Sequence, residues 1–316
     1  MTVIVSDDDF ISAWQKHGSP NAVAAALGIG VRGLYKRRAR LAEKGIFLPT
    51  VSASLRPNTE WTPRLEFERR RRFEVQDGVV IIFSDPHYLP DHSHVAQSAL
   101  LELCRALDPQ LVICGGDAVD GDTISRWDPT RGQHKRFSVA EELHCVRERF
   151  GELDAILKKK QRAWILGNHD VRLGRFVMMK CPELADMDGM RLEDWAPHWP
   201  LSWTISVNEG TPGMLVVRHR NQAGMLHMQA QKAGCNYAHG HLHRLNVHTL
   251  PTFAGYRYSI DCGSLADPDS EGFDYAEGNI PHCQGFAVLT YKAGKLLMPE
   301  LCYVENQTAH FRGQRL

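Results

Sequence analysis

Five short clusters of acidic, amide and imidazole side chains stand out in this sequence. They are Asp85-Pro86-His87, Gly116-Asp117-Ala118-Val119-Asp120, Gly167-Asn168-His169-Asp170, a single His219, and His239-Gly240-His241-Leu242-His243. Carboxylate, imidazole and amide oxygen form a mixed N/O donor set, which suits Mn, Fe, Zn or Ni better than a soft thiolate metal. An extended D-x-H points Asp85 and His87 the same way, because alternate residues share a face, and His241 with His243 repeats that spacing. Glycines beside these residues let the backbone turn sharply and approach closely. Any one cluster is weak, since a lone histidine among the 16 of this chain is more often a surface or core residue than a ligand. The ordered set carries the metal reading.

The elements that must position these residues are legible around them. VVIIF (79–83), LVICGG (111–116) and AWILG (163–167) are apolar, β-branched runs of strand length, and LVV (215–217) and CNYAHG (235–240) add later strands. Helical stretches at 95–107 and 138–160 alternate with the early strands, which indicates an α/β domain. Each polar cluster follows a strand, and ligands of α/β sheets bind outside the carboxyl ends of strands. GFAVLTY (285–291) and LMPELCYV (297–304) read as a closing hairpin-like pair.

D-x-H, GD-x-x-D, GNHD, His and GH-x-H in this order resemble the calcineurin-like metallophosphoesterase superfamily, over about residues 79–243. The resemblance implies a four-layer α-β-β-α sandwich and two divalent metal ions, with Mn expected and Fe, Zn or Ni as alternatives. By motif matching, Asp85, His87, Asp117 and His243 would hold one ion. Asp117, Asn168, His219 and His241 would hold the other, with Asp117 bridging. His169 would face the substrate as general acid, and Asp120 would orient it. The fourth motif departs from the usual His-Gly, because His219 is followed by Arg220. His227 is the fallback there, but it lies within an expected helix. Arg172 and Arg175, just after GNHD, are candidates for a substrate phosphate. Arg126, Trp127, Arg131, Lys135 and Arg136 form a basic stretch with an aromatic that could grip a nucleic-acid strand or be an ordinary loop.

Residues 1–50 have a different character. A first helix over about 10–17, with Asp7–Asp9 at its start, is followed by a second capped by Asn21. Gly28 and Gly30 bracket a turn, and a third helix runs over VRGLYKRRARLAEKG. This resembles a small all-α helix-turn-helix domain, whose second helix can enter a DNA major groove. Arg32, Lys36, Arg37, Arg38 and Arg40 are its candidate DNA contacts, set against a solvated basic face as the plainer reading. Residues 51–76 read as a linker ending in the basic run Arg69–Arg72, residues 77–306 as the catalytic domain, and 307–316 as a C-terminal tail.

The totals narrow the classes further. Lys plus Arg equals Asp plus Glu at 37 each, so net charge points to no partner. The eight scattered cysteines form no CxxC pair and read as reduced thiols. No signal peptide or membrane-length apolar run is visible, and a cytoplasmic protein of a bacterium or a phage-infected host cell is expected. The expected function is a phosphodiesterase acting on DNA, as a nuclease or end-processing enzyme. The flanks GNHDVRLGRF and GSLADP also look like phage and prophage members of the superfamily. The alternatives are a phosphomonoesterase with an N-terminal docking module, and a DNA-binding regulator with an inactive phosphoesterase body.

Overall fold

The computed structural model describes residues 5–17, 19–46, 48, 67–90, 95–125, 137–221, 224–226, 228–267 and 282–316. The chain divides into two compact units, 1–63 and 64–316.

Among its described residues the first unit holds three helices, α1 (Asp7–His17), α2 (Pro20–Leu27) and α3 (Val31–Glu43). Ser6 accepts the amide of Asp9, and Ser19, rather than the expected Asn21, accepts that of Ala22. Proline at position 20 fits the first helical turn, where no amide donor is needed, so α2 begins two residues earlier than expected. Gly28 closes α2 in the left-handed region at φ 63°. Phe10, Trp14, Val23, Leu34 and Leu41 form the core of this unit.

The second unit contains β1 (Arg71–Phe73), β2 (Gly78–Phe83), α4 (Val95–Leu107), β3 (Leu111–Cys114), α5 (Val139–Leu157), β4 (Gln161–Ile165) and α6 (Arg172–Lys180). Next come β5 (Leu201–Ser202), β6 (Ile205–Val207), β7 (Leu215–Arg218), α7 (Met228–Ala233), β8 (Asn236–His239), β9 (Leu245–Thr252) and β10 (Gly255–Cys262). It closes with β11 (Gly285–Lys292), β12 (Lys295–Leu296), β13 (Glu300–Glu305), β14 (Thr308–Phe311) and β15 (Gln314–Arg315).

These strands build two mixed sheets. One runs β15-β14-β13-β11-β2-β3-β4-β5 with β12 beside β11, and the other runs β1-β6-β7-β8-β10-β9. Side chains of β2 alternate between two cores, which explains its unbroken apolar run. Val80 and Ile82 meet Ile205, Val217, Ala238 and Ile260 of the other sheet. Ile81 and Phe83 face α4 and α5 through Leu100, Leu103, Val146 and Phe150.

Two boundaries differ from expectation. Residues 71–73 are not linker: β1 pairs in parallel with β6. Three arginines of the expected basic run are engaged, Arg70 and Arg72 with Glu209, and Arg71 with Glu68. Nor is 307–316 a tail. β14 extends the large sheet along β13, and Ala309 and Phe311 are buried in its core.

Candidate metal and catalytic centre

β2, β3 and β4 run parallel in register, with Phe83 beside Cys114 and Cys114 beside Trp164. Their carboxyl ends therefore reach one edge together, delivering residues 84–88, 115–121 and 166–171. In the second sheet β7 and β8 are also parallel, with Arg218 beside His239. Their ends deliver His219 and residues 240–243.

At this edge the described side chains form three groups whose donor atoms lie within 4.8 Å of one another. They are Asp85, His87 and His243; Asp117, His219 and His241; and His87, Asp120 and His169. Nε2 of His243 stands 3.0 Å from Oδ1 of Asp85. Nε2 of His219 stands 3.0 Å from Oδ2 of Asp117 and 3.2 Å from Oδ1 of Asn168. All seven sequence-proposed metal residues thus converge.

The expected extended D-x-H is not what positions them. Asp85, His87, Asp117, His241 and His243 have φ of 50°, 40°, 53°, 70° and 53°, in the left-handed region. An extended chain would carry the ligands on past the sheet edge. The turned backbone instead folds them back towards a common point, and neighbouring loops hold it there. The amide of Asp85 donates to the Gly116 carbonyl and that of His87 to the Asp117 carbonyl. Clustered backbone strain of this kind is typical of functional sites. Gly167 and Gly240 allow the close approach, since a methyl group on either would strike the carboxylate of Asp117 or of Asp85.

The electrostatics fit a cation. Asp85 and Asp117 are buried, and burial alone would raise both carboxyls. Instead both lie below the usual range, chiefly through the charge of His219, with His243 and His87 adding at Asp85 and His169 at Asp117. In turn, burial would lower His219, but the Asp117 and Asp85 carboxylates push it up to about 9. Among the described residues no lysine or arginine pairs with either carboxylate. A divalent ion would supply the charge that protonated imidazoles otherwise provide. The donor set therefore fits metal binding.

Asp120 serves two histidines. Its Oδ1 is 3.0 Å from Nδ1 of His169, and also 3.0 Å from Nδ1 of His87. This leaves Nε2 of each ring for other work. Burial would lower His169, yet the Asp120 hydrogen bond and the Asp117 charge raise it above the ordinary histidine value. The Arg172 guanidinium donates to the Asp120 carbonyl at 2.8 Å and stands 3.3 Å from His169 Nε2. Arg175 is an exposed residue of α6 with no hydrogen bond or ion pair to the site among the described residues. Arg220, where glycine was expected, places its Nε 3.3 Å from Asn168 Oδ1.

Sequence reasoning missed several contributors. Asp170 accepts from the amides of Asp117, Ala118, Val119 and Gly167 and from the Trp164 indole. Its place in GNHD was visible, but not its role as the clamp between two ligand loops. Residues 263–267, part of a stretch noted only as a likeness, clasp the first ligand. Ser264 Oγ donates to the Asp85 carbonyl at 2.7 Å, and the Leu265 amide to that of Ser84 at 3.0 Å. His282 carried no motif at all, yet its Nδ1 lies 3.2 Å from Nδ1 of His243. His227 and the basic stretch 126–136 lie outside the described residues.

Of the candidate DNA residues on α3, Arg37 and Arg40 both pair with Asp7 of α1. Arg38 stacks over Trp14 at 4.9 Å. Lys36 is exposed, and the Arg32 side chain lies outside the described residues. No helix among the described residues is long and apolar enough to cross a membrane.

Parallel strands ending in two Asp/His donor groups, buried except for a half-buried His241, are the features of a metal-binding α/β protein. The sequence matches the calcineurin-like phosphoesterase family over residues 78–251, and the chain belongs to that family of hydrolases. No curated protein matches it. Similar solved structures include Vps29 of Chaetomium thermophilum, at 12% identity and TM-score 0.42, covering 76% of this chain and 97% of that one. Yfce, a phosphoesterase from E. coli, has 16% identity and TM-score 0.36, covering 70% and 97%. A dimetal phosphatase from Danio rerio has 10% identity and TM-score 0.36, covering 77% and 98%. None of the three defines a substrate for this chain.

Proposed function

We propose that the chain is a dimetal phosphodiesterase acting on DNA, as a nuclease or end-processing enzyme. The observation that carries the hydrolytic part is the convergence of two Asp/His groups with the Asp120–His169 pair at one sheet edge. In this reading Asp85, His87, Asp117 and His243 hold one ion. Asp117, Asn168, His219 and His241 hold the other, with Asp117 shared and manganese the expected metal. When bound, the ions activate water and stabilise charge on the phosphoryl oxygens.

The chain's own residues supply the rest. Asp120 fixes the His169 ring through Nδ1, so Nε2 is the atom that hands a proton to the leaving oxygen. Arg172 flanks that nitrogen. A phosphate oxygen entering between them takes charge-assisted hydrogen bonds from both.

The DNA part is supported by the first unit, read as a helix-turn-helix module with α3 as the groove-facing helix. One observation favours a phosphomonoesterase with a docking module instead: Asp7 already neutralises part of the basic face of α3. Hydrolysis of bis(p-nitrophenyl) phosphate and of p-nitrophenyl phosphate, each with Mn²⁺, separates the two readings. Preferential cleavage of the diester, abolished by EDTA and followed by cleavage of labelled DNA, supports the first. Turnover of the monoester alone supports the second.

A further inference from the structure

His243 has two ring nitrogens with different neighbours. Nε2 faces the Asp85 carboxylate at 3.0 Å, on the side of the first donor group. Nδ1 faces the other way, 3.2 Å from Nδ1 of His282. The two rings meet edge to face, with centroids 4.2 Å apart and planes at 65°. The main chain enforces this meeting independently of the rings. The Cys283 amide donates to the His243 carbonyl at 2.7 Å, and the Ser264 amide to the Cys283 carbonyl at 3.2 Å. His282 is therefore delivered by the lead-in to β11, a part of the chain remote in sequence from every metal motif.

Two nitrogens at this distance share one proton: one ring donates and the other accepts. With Nε2 of His243 turned to a carboxylate, the proton of a neutral His243 ring sits on Nε2, and His282 donates to His243 Nδ1. Metal binding through His243 Nε2 needs that nitrogen as a lone pair. The His243 proton must then sit on Nδ1, and His282 must accept it. A metal-bound histidine that donates its other N–H to a fixed acceptor is held in one tautomer and orientation and is a stronger ligand.

We infer that His282 is the positioning residue for His243, accepting its Nδ1 proton when the first donor group binds a divalent cation. The inference rests on the reading of His243 as a metal ligand. It assigns a role to a residue that the family match, ending at 251, does not reach.

The test is Mn²⁺ binding to the full-length chain, stripped with EDTA and titrated by calorimetry, for wild type, His282→Phe, His282→Asn and His243→Ala. Phenylalanine keeps the ring but removes the acceptor. Asparagine keeps a carbonyl oxygen close to where Nδ1 stood. Thermal melts of the metal-free variants report whether each is folded. The expected result is that His282→Phe weakens one of the two Mn²⁺ sites by roughly 10–100-fold, while His282→Asn binds close to wild type. Wild-type binding by a folded His282→Phe overturns the inference. So does an equal loss in His282→Asn, because the ring itself would then be what matters. Unaltered Mn²⁺ binding in His243→Ala would instead overturn the underlying assignment of His243 as a ligand.

Discussion

Oδ2 of Asp170 accepts the amide hydrogen of Asp117 at 2.8 Å, tying the loop that follows β4 to the ligand that follows β3. Burial and the Asp117 charge push Asp170 up to about 6, while its amide donors favour the charged form. Its two oxygens serve five donors, three of them on Oδ2. An asparagine at this position could not serve both sets, because its NH₂ would point at donors. We predict that Asp170→Asn and Asp170→Ala each destabilise the protein by about 3 kcal/mol or more, since a buried donor left unsatisfied costs about 1–3 kcal/mol. Urea unfolding checks this, and a change below about 1 kcal/mol would show that the loops hold without the clamp.

His169 is assigned to proton transfer and not to metal holding. His169→Ala should retain the wild-type metal content and lose about 10²–10⁴-fold in turnover, the usual scale for a general acid. Metal analysis beside kinetics decides between the roles. Loss of an ion with the ring would make His169 a ligand instead.

Glu142 lies buried in α5, where its Oε2 accepts the Gly121 amide at 2.6 Å, next to Asp120. Burial, helped by the Asp120 charge, pushes its carboxyl up to about 8 from an ordinary value of 4.5. The folded state therefore holds a proton that the unfolded chain has released between these values. That contribution is fully present below the unfolded pKa and is lost as pH rises through the folded one. Glu142→Gln keeps an acceptor for Gly121 but does not titrate. Its stability relative to wild type should climb between about pH 5 and about pH 8. Parallel pH profiles for the two proteins would contradict the assignment.

Asp7 holds Arg37 and Arg40 of α3 by ion pairs, and Lys44 at 3.9 Å. If α3 contacts DNA phosphates, Asp7 competes with them. Asp7→Asn should then tighten DNA binding and steepen its salt dependence by roughly 0.9 in log–log slope for each further phosphate neutralised. Removal of 1–50 should do the reverse. Fluorescence anisotropy at several salt concentrations reads both. Unchanged binding in both variants would remove the helix-turn-helix reading.

The legible part of this protein was the part with period and motif. β2, β3, β4, α4 and α5 follow from apolar runs and helical spacing, and all seven proposed ligands sit after the strands they were assigned to. The β9–β10 hairpin was missed because Pro251 and alternating polar residues disguise β9, which tolerates them as an edge strand. β14 and β15 were missed because two- and four-residue strands carry too little pattern. The left-handed backbone at Asp85 and His87 was beyond a sequence rule, since neighbouring loops impose it and Asp and His, although enriched there among non-glycine residues, adopt it in only a small minority of cases. Asp170 and His282 act through contacts made by distant segments, and composition and spacing record nothing of those.

The most direct test is the Mn²⁺ stoichiometry of the purified full-length chain, measured beside Asp117→Asn. Two divalent ions sharing Asp117 predict two Mn²⁺ per wild-type chain, and loss of metal together with diesterase activity in the variant. One ion or none in wild type, or two still bound by Asp117→Asn, would contradict a dimetal centre built on that carboxylate.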